Sequence, residues 1–178
     1  MKKPKRERIL KIFLLAVLAI IVIGFLLPQS FTMPVQGASK GDYNSKSFWC
    51  YPWGKSVTHK GIDIFAKAGT PVFSSTYGLV VFTGNLGRGG NVILVLGPKW
   101  HFHYYAHLKE IKTQTFSFVS SGETIASVGN SGNAIGKPPH LHYSIATLIP
   151  YPWRWDASPQ GWRKMFYLNP TPLLDKAS

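Results

Sequence analysis

Two histidines stand two residues apart in the stretch GKPPHLHYSI, and another stands four residues before an aspartate in THKGIDIF. The alternating apolar residues of HLHYSI predict a β-strand, on which positions i and i+2 point to the same face. His140 and His142 are therefore expected to project toward one site. In the other stretch, Gly61 permits a tight turn that would bring His59 and Asp63 to one point. Imidazole nitrogens and carboxylate oxygens are metal ligands, so these residues are candidates for a shared metal site.

Two histidines and one carboxylate, with a fourth position left open for water, form a catalytic rather than a structural zinc arrangement. Zinc is favoured over other metals because the donors are nitrogen and oxygen without sulfur. Spacing alone does not distinguish the role of His140 from that of His142.

A second group of histidines lies in WHFHYYAHL. His101, His103, Tyr105 and His107 have the same parity, so they share one face if the strand is regular, and they cannot all be ligands. We interpret His101 and His103 as the exposed start of a strand that follows the turn GPKW.

The elements around these residues are short runs rich in Val, Ile, Thr and aromatic residues, separated by turns that contain glycine. Examples are GTPVFSSTYGLVVFTG, NVILVLG and ETIASVG. These runs predict a mainly β domain over residues 48–178, a compact antiparallel β-roll or sandwich. Its last section, 149–178, is rich in Trp and Pro. It is expected to pack over the sheet, and an aromatic flap beside the site is the alternative.

The N-terminus has a different character. Residues 1–11 form a basic flank, and residues 12–27, IFLLAVLAIIVIGFLL, carry no polar side chain. This run, extended by Ile9 and Leu10, can span a bilayer, and the positive-inside rule keeps the flank in the cytoplasm. A cleavable signal peptide is the alternative, but the run is long for one, which favours a retained anchor. Residues 28–47 are polar with Pro and Gly, and they are interpreted as a linker.

The net charge of +13 includes five positive charges from residues 1–11, which leaves eight for the exported part. That charge suits an anionic wall polymer, and export argues against nucleic acid as a partner. Cys50 is the single cysteine, so no intramolecular disulfide can form. We interpret it as a small packed residue rather than a reactive thiol.

Three ordered motifs, HKGID, YAHL and HLH, closely resemble those of the lysostaphin/LytM-type zinc metallopeptidases, which cut peptidoglycan cross-links. The resemblance covers roughly residues 53–146 and implies the LytM-like β fold, known as the duplicated hybrid motif. It implies that His59, Asp63 and His142 are the Zn²⁺ ligands. It also implies that His107 and His140 form a catalytic pair beside the metal. Residues 150–164 depart from the pattern as an insertion.

The function that the resemblance implies is zinc-dependent endopeptidase activity on peptidoglycan peptide stems. The chain would be a single-pass protein of the bacterial inner membrane, with its C-terminal domain on the periplasmic side. A non-catalytic LytM-type regulator of other wall hydrolases is the alternative, and a regulatory protein partner is left open. Every motif position is filled, which favours catalysis. A D-Ala-D-Ala carboxypeptidase would space its aspartate differently, and a carrier domain would need a lysine at a hairpin tip.

Overall fold

The computed structural model describes residues 5–178, and within that range it contains two helices and nine strands. The helices are α1 (Lys5–Leu26) and α2 (Thr171–Ala177). The strands are β1 (Ile62–Phe65), β2 (Pro71–Phe73), β3 (Gly78–Asn85), β4 (Asn91–Leu96), β5 (His101–Ile111), β6 (Phe118–Val119), β7 (Thr124–Val128), β8 (His140–Thr147) and β9 (Tyr167–Leu168).

The strands form one antiparallel network, in the order β1-β8-β5-β4-β3-β6. Strand β8 also pairs with β9, while β7 pairs with both β2 and the far end of β5. Glycine-bearing turns and β-branched residues favour such short antiparallel strands. The prediction of a mainly antiparallel β domain is confirmed.

The core lies between the strands and consists of alternating inward-facing residues. Tyr105 of β5 and Tyr143 of β8 are paired across the ladder and fully buried, with their ring centroids 5.3 Å apart. Around them pack the fully buried aliphatic residues Ile62, Ile64, Val72, Val80, Ile93, Val95, Leu108, Ile125 and Leu141. This layer supports β8 and β5 from the side opposite the cavity described below.

The segment 28–47 packs against the domain instead of serving as a linker. Met33, Val35 and Tyr43 from this segment belong to the hydrophobic core. Val35 forms an isolated bridge with Val72, and Tyr43 forms one with Ile64. The linker prediction is corrected for this reason: scattered apolar residues without a period still bury their side chains.

Helix α1 is long and apolar enough to serve as a signal anchor or a membrane span, with a window of mean hydropathy 3.0. It begins at Lys5, so part of the basic flank is helical; residues 1–4 lie outside the described range. Its C-terminal part contacts the turn between β4 and β5, where the Trp100 indole Nε1 donates to the Ile21 carbonyl over 3.0 Å. A side chain at Gly24 would overlap the Trp100 ring, so this contact depends on the glycine.

The C-terminal section differs from its prediction. Trp153, Trp155 and Trp162 are 79%, 68% and 50% exposed, so the section does not bury its tryptophans over the sheet. Leu174 of α2 is instead the residue that fills the core. Cys50 is exposed, which corrects its interpretation as a packed residue.

Candidate active site

The side chains of His59, Asp63 and His142 converge on one point. Asp63 Oδ1 lies 2.7 Å from His142 Nδ1 and 3.1 Å from His59 Nε2, and these two nitrogens are 3.1 Å apart. The three atoms form the one possible metal-ligating cluster found among the described residues. Their separations are close to the roughly 3.3 Å expected between ligands around tetrahedral zinc.

Strand pairing accounts for most of this convergence. Asp63 in β1 stands directly opposite His142 in β8, so their side chains point to the same face of the ladder. Gly61 allows the strands to approach, because a Cβ there would lie 2.5 Å from the Tyr143 carbonyl oxygen and 2.9 Å from the His142 ring. The glycine therefore acts through close approach rather than through the tight turn predicted from sequence. Trp53 stacks on the His59 ring, with centroids 4.1 Å apart.

The chemistry of the donors fits a cation. His59 Nδ1 lies 3.1 Å from the Ser47 carbonyl oxygen and donates to it, which leaves a lone pair on Nε2 of the neutral ring. That lone pair faces the Asp63 carboxylate oxygen, and two acceptors repel each other unless a cation lies between them. A backbone carbonyl behind a ligating histidine is the usual support of a metal site.

His107 and His140 lie beside this cluster, with their ring centroids 5.0 Å apart and His107 6.0 Å from the ring of His142. The two rings are held alike. His107 Nδ1 lies 2.9 Å from the Ser131 carbonyl, and His140 Nδ1 lies 2.8 Å from the Pro138 carbonyl. In the neutral rings both Nδ1 atoms donate, so both Nε2 atoms are available to accept a proton.

An irregularity in β5 brings His107 to the cavity. Two residues, Ala106 and His107, occupy the space opposite Val92 alone, because the register to β4 shifts between Tyr105 and Leu108. His107 has φ of +63°, a left-handed conformation, and both Ala106 and His107 line the cavity. This β-bulge re-aims the side chain. The expectation of one shared face for His101, His103, Tyr105 and His107 is therefore wrong for His107.

His101 and His103 face the interior, and their interpretation as an exposed strand start is wrong. They are 6% and 0% exposed, respectively. His103 Nδ1 lies 2.6 Å from the Tyr143 hydroxyl, and His101 Nε2 lies 3.1 Å from the Tyr151 hydroxyl. Burial, followed by the nearby Lys99, lowers the pKa of His101 to about 4, and burial, followed by His101, lowers the pKa of His103 to about 3.

The ionisation of the site residues follows from their surroundings. Burial opposes the charge of Asp63, but hydrogen bonds from His142 and His59 outweigh it and hold the pKa of the carboxyl well below its usual range. Burial, followed by His142 and His140, lowers the pKa of His107 to about 4. The cluster therefore presents an ionised carboxylate, and His107 is neutral at neutral pH.

All five residues line a single cavity of about 940 Å³. Sequence reasoning missed several other residues of its wall, because they lie in turns and irregular segments or have no motif around them. These are Tyr104, Arg88, Lys137, Gln160, Arg163 and Tyr167. Burial, followed by Tyr167, raises the pKa of the Tyr104 phenol to about 12, so it is an un-ionised hydroxyl in the wall.

A cavity with an open His–Asp–His cluster and two further histidines defines a metallopeptidase type of site. The model of peptidase family M23 matches residues 57–150, and the chain belongs to this family. Peptidases of this family are generally zinc-dependent.

Two curated relatives and one solved structure are similar to the chain. It is 39% identical to the L-Ala--D-Glu endopeptidase of Bacillus subtilis (strain 168), over 66% of this chain and 37% of the relative. It is 37% identical to the peptidoglycan DD-endopeptidase ShyA of Vibrio cholerae, over 49% of this chain and 20% of the relative. The catalytic domain of the antimicrobial peptidase lysostaphin from Staphylococcus simulans superposes with a TM-score of 0.59 at 26% identity. That match covers 75% of this chain and 93% of that domain. The chain thus spans well under half the length of either curated relative.

Proposed function

We propose that this chain is a zinc-dependent endopeptidase that hydrolyses peptide cross-links of bacterial peptidoglycan. The observation that carries the proposal is the convergence of His59, Asp63 and His142 beside a pair of histidines in one cavity. The names of the relatives support the substrate, since one of them is a peptidoglycan DD-endopeptidase.

In this proposal His59, Asp63 and His142 hold the metal ion. Bound Zn²⁺ would supply a water of lowered pKa and would polarise the scissile carbonyl. The two further histidines carry out proton transfer. One imidazole of the pair His107 and His140 accepts a proton at Nε2 and then delivers it to the leaving amine.

The second imidazole of the pair stabilises the tetrahedral oxyanion by donating from Nε2 in its protonated form. The carbonyls of Ser131 and Pro138 keep the two rings in fixed orientations throughout, since they bind Nδ1 in either protonation state. The rings are therefore preorganised, and little free energy is spent on orienting them during the reaction.

We also propose a location. Helix α1 would anchor the chain in the inner membrane as a single span, with the β domain on the periplasmic side, where it meets peptide stems of the wall. The positive charge of the exported part would favour an anionic polymer.

The test is digestion of purified cross-linked peptidoglycan by the zinc-loaded full-length chain in detergent, followed by mass spectrometry of the soluble fragments. We expect fragments that end at a newly cut peptide bond, and none from Asp63→Asn under the same conditions. The identity of the fragments names the bond that is cut. A folded, zinc-loaded chain that releases no fragments would instead support the non-catalytic regulator.

A further inference from the structure

The C-terminal section forms one wall of the cavity. Gln160 Oε1 accepts a hydrogen bond of 3.0 Å from the Thr58 hydroxyl, next to His59. The Trp49 indole donates to the Pro159 carbonyl over 3.1 Å. Residues 150–167 are thus fastened to the loop that precedes the first proposed ligand. Most of this wall lies beyond the region matched by the family model, which ends at residue 150, so it is a feature of this chain.

The cavity is strongly basic. Its lining contains one carboxylate, Asp63, whose Oδ1 is already engaged by two histidines. The same lining contains five cationic side chains: Lys55, Lys60, Arg88, Lys137 and Arg163. Even before any metal ion binds, the excess of positive charge predicts an anionic ligand.

Several of the basic side chains near this wall are occupied in holding the structure. Lys60 Nζ donates to the Ser56 carbonyl over 3.0 Å and to the Thr58 hydroxyl over 3.1 Å. Arg154 donates to the carbonyls of Lys164 and Tyr167. Lys164 pairs with Asp156.

Arg163 differs from these residues. Its guanidinium lies over the Trp162 ring, 5.1 Å from the centroid, and it makes no ion pair or hydrogen bond with any residue in the range 5–178. It is exposed and lines the cavity together with Gln160 and Tyr167. Stacking on an indole holds the guanidinium plane while all its N–H donors stay free, and that fork matches the geometry of a carboxylate.

We propose that Arg163 binds a free carboxylate of the peptide substrate, so that the site selects peptides carrying that carboxylate over those in which it is a carboxamide. The inference rests on the proposed function for its substrate class, a peptide stem. Arg163 is a specificity-determining residue in this account and takes no part in the proton transfers. A carboxamide offers the guanidinium one neutral acceptor instead of two charged ones, and the charge-assisted pair is the stronger.

The test uses two cross-linked stem-peptide dimers that differ only in carrying free carboxylates or carboxamides. Their dissociation constants are measured by calorimetry on the metal-free full-length chain in detergent, and their kcat/KM values on the zinc-loaded chain. We expect the acid form to bind about 10- to 100-fold more tightly. Arg163→Gln should remove this preference by weakening the acid form alone, mainly through KM. Arg163→Lys should restore part of it.

The control is Lys176→Gln, an exposed lysine of α2 with the same loss of charge, which should leave both peptides unchanged. Equal affinity of the wild-type chain for the two dimers, or an equal loss for both in Arg163→Gln, would overturn the inference and leave the endopeptidase proposal intact. Selective binding without any cleavage would have the opposite meaning: the carboxylate site would stand, and the endopeptidase proposal would fail.

Discussion

The two ends of strand β5 use the same residue type for opposite purposes. At the beginning, His101 and His103 are buried against Tyr151 and Tyr143, and burial lowers the pKa of each ring. Near the other end, His107 lines the cavity 5.0 Å from the ring of His140. The three histidines have the same parity, so the difference comes from the backbone between them.

That backbone difference is the bulge at Ala106 and His107. It is held from the neighbouring loop, where the Ser131 hydroxyl donates to the Leu108 carbonyl over 2.8 Å and the Ser131 carbonyl accepts from His107 Nδ1. A left-handed residue costs about 1–3 kcal/mol, and these contacts offset that cost. A local irregularity of this kind can convert a core position into a site position without changing the strand pairing around it.

Removing the cavity-facing ring should have the largest effect. His107→Ala is expected to lower kcat/KM by about 10²- to 10⁴-fold while the chain stays folded, because a proton-transfer or oxyanion-stabilising group is lost. The core-facing counterpart, His103→Gln, should keep kcat/KM within about threefold and lower the free energy of unfolding by about 1–3 kcal/mol. Activity on peptidoglycan and denaturant unfolding of both variants check the pair of outcomes. Similar activity losses in both variants, at equal folded fractions, would remove the distinction between the two ends of β5.

Disturbing the bulge without touching a histidine should have a smaller effect. A Cβ at Gly129 would lie 2.4 Å from the Lys109 amide nitrogen and 2.8 Å from the His107 carbonyl oxygen. Gly129→Ala is therefore expected to displace His107, to lower kcat/KM by about 10- to 100-fold and to destabilise the fold by about 1–3 kcal/mol. Gly41→Ala is the control, since its nearest listed contact would be Ser39 Oγ at 3.7 Å. Wild-type kinetics in Gly129→Ala would show that the bulge does not position His107.

The core-facing histidines should make stability depend on pH, with a still smaller effect. Their pKa values are about 4 and about 3 in the folded chain and about 6.5 when unfolded, so below pH 6.5 the unfolded chain binds more protons. The free energy of unfolding should therefore fall as pH decreases, by up to about 2 kcal/mol per histidine at pH 5. In His103→Gln the difference in unfolding free energy between pH 7 and pH 5 should shrink. An unchanged difference would mean that His103 does not contribute.

The sequence predicted the β class of the fold and the grouping of four site residues. Alternation in HLHYSI was sufficient to place His140 and His142 on one face, because β8 is a regular strand. Separating their roles required the family motifs, since the two positions have the same pattern.

Other features could not be predicted because they depend on long-range contacts. The face of His107 depends on a bulge that the loop around Ser131 holds, 24 residues away in sequence. The packing of Val35 depends on its pairing with Val72. Arg163 reaches the cavity because Gln160 is bonded to Thr58, 102 residues earlier, and no periodic pattern marks such a contact.

The central claim is the division of labour between His140 and His142, and metal content tests it most directly. The full-length variants His142→Ala and His140→Ala are dialysed against buffered zinc, and bound zinc per folded chain is measured by plasma mass spectrometry. The account predicts that His142→Ala loses the ion, because a ligand is missing. It predicts that His140→Ala retains about one ion per chain yet loses most of its activity. Loss of zinc from His140→Ala as complete as that from His142→Ala would contradict the account.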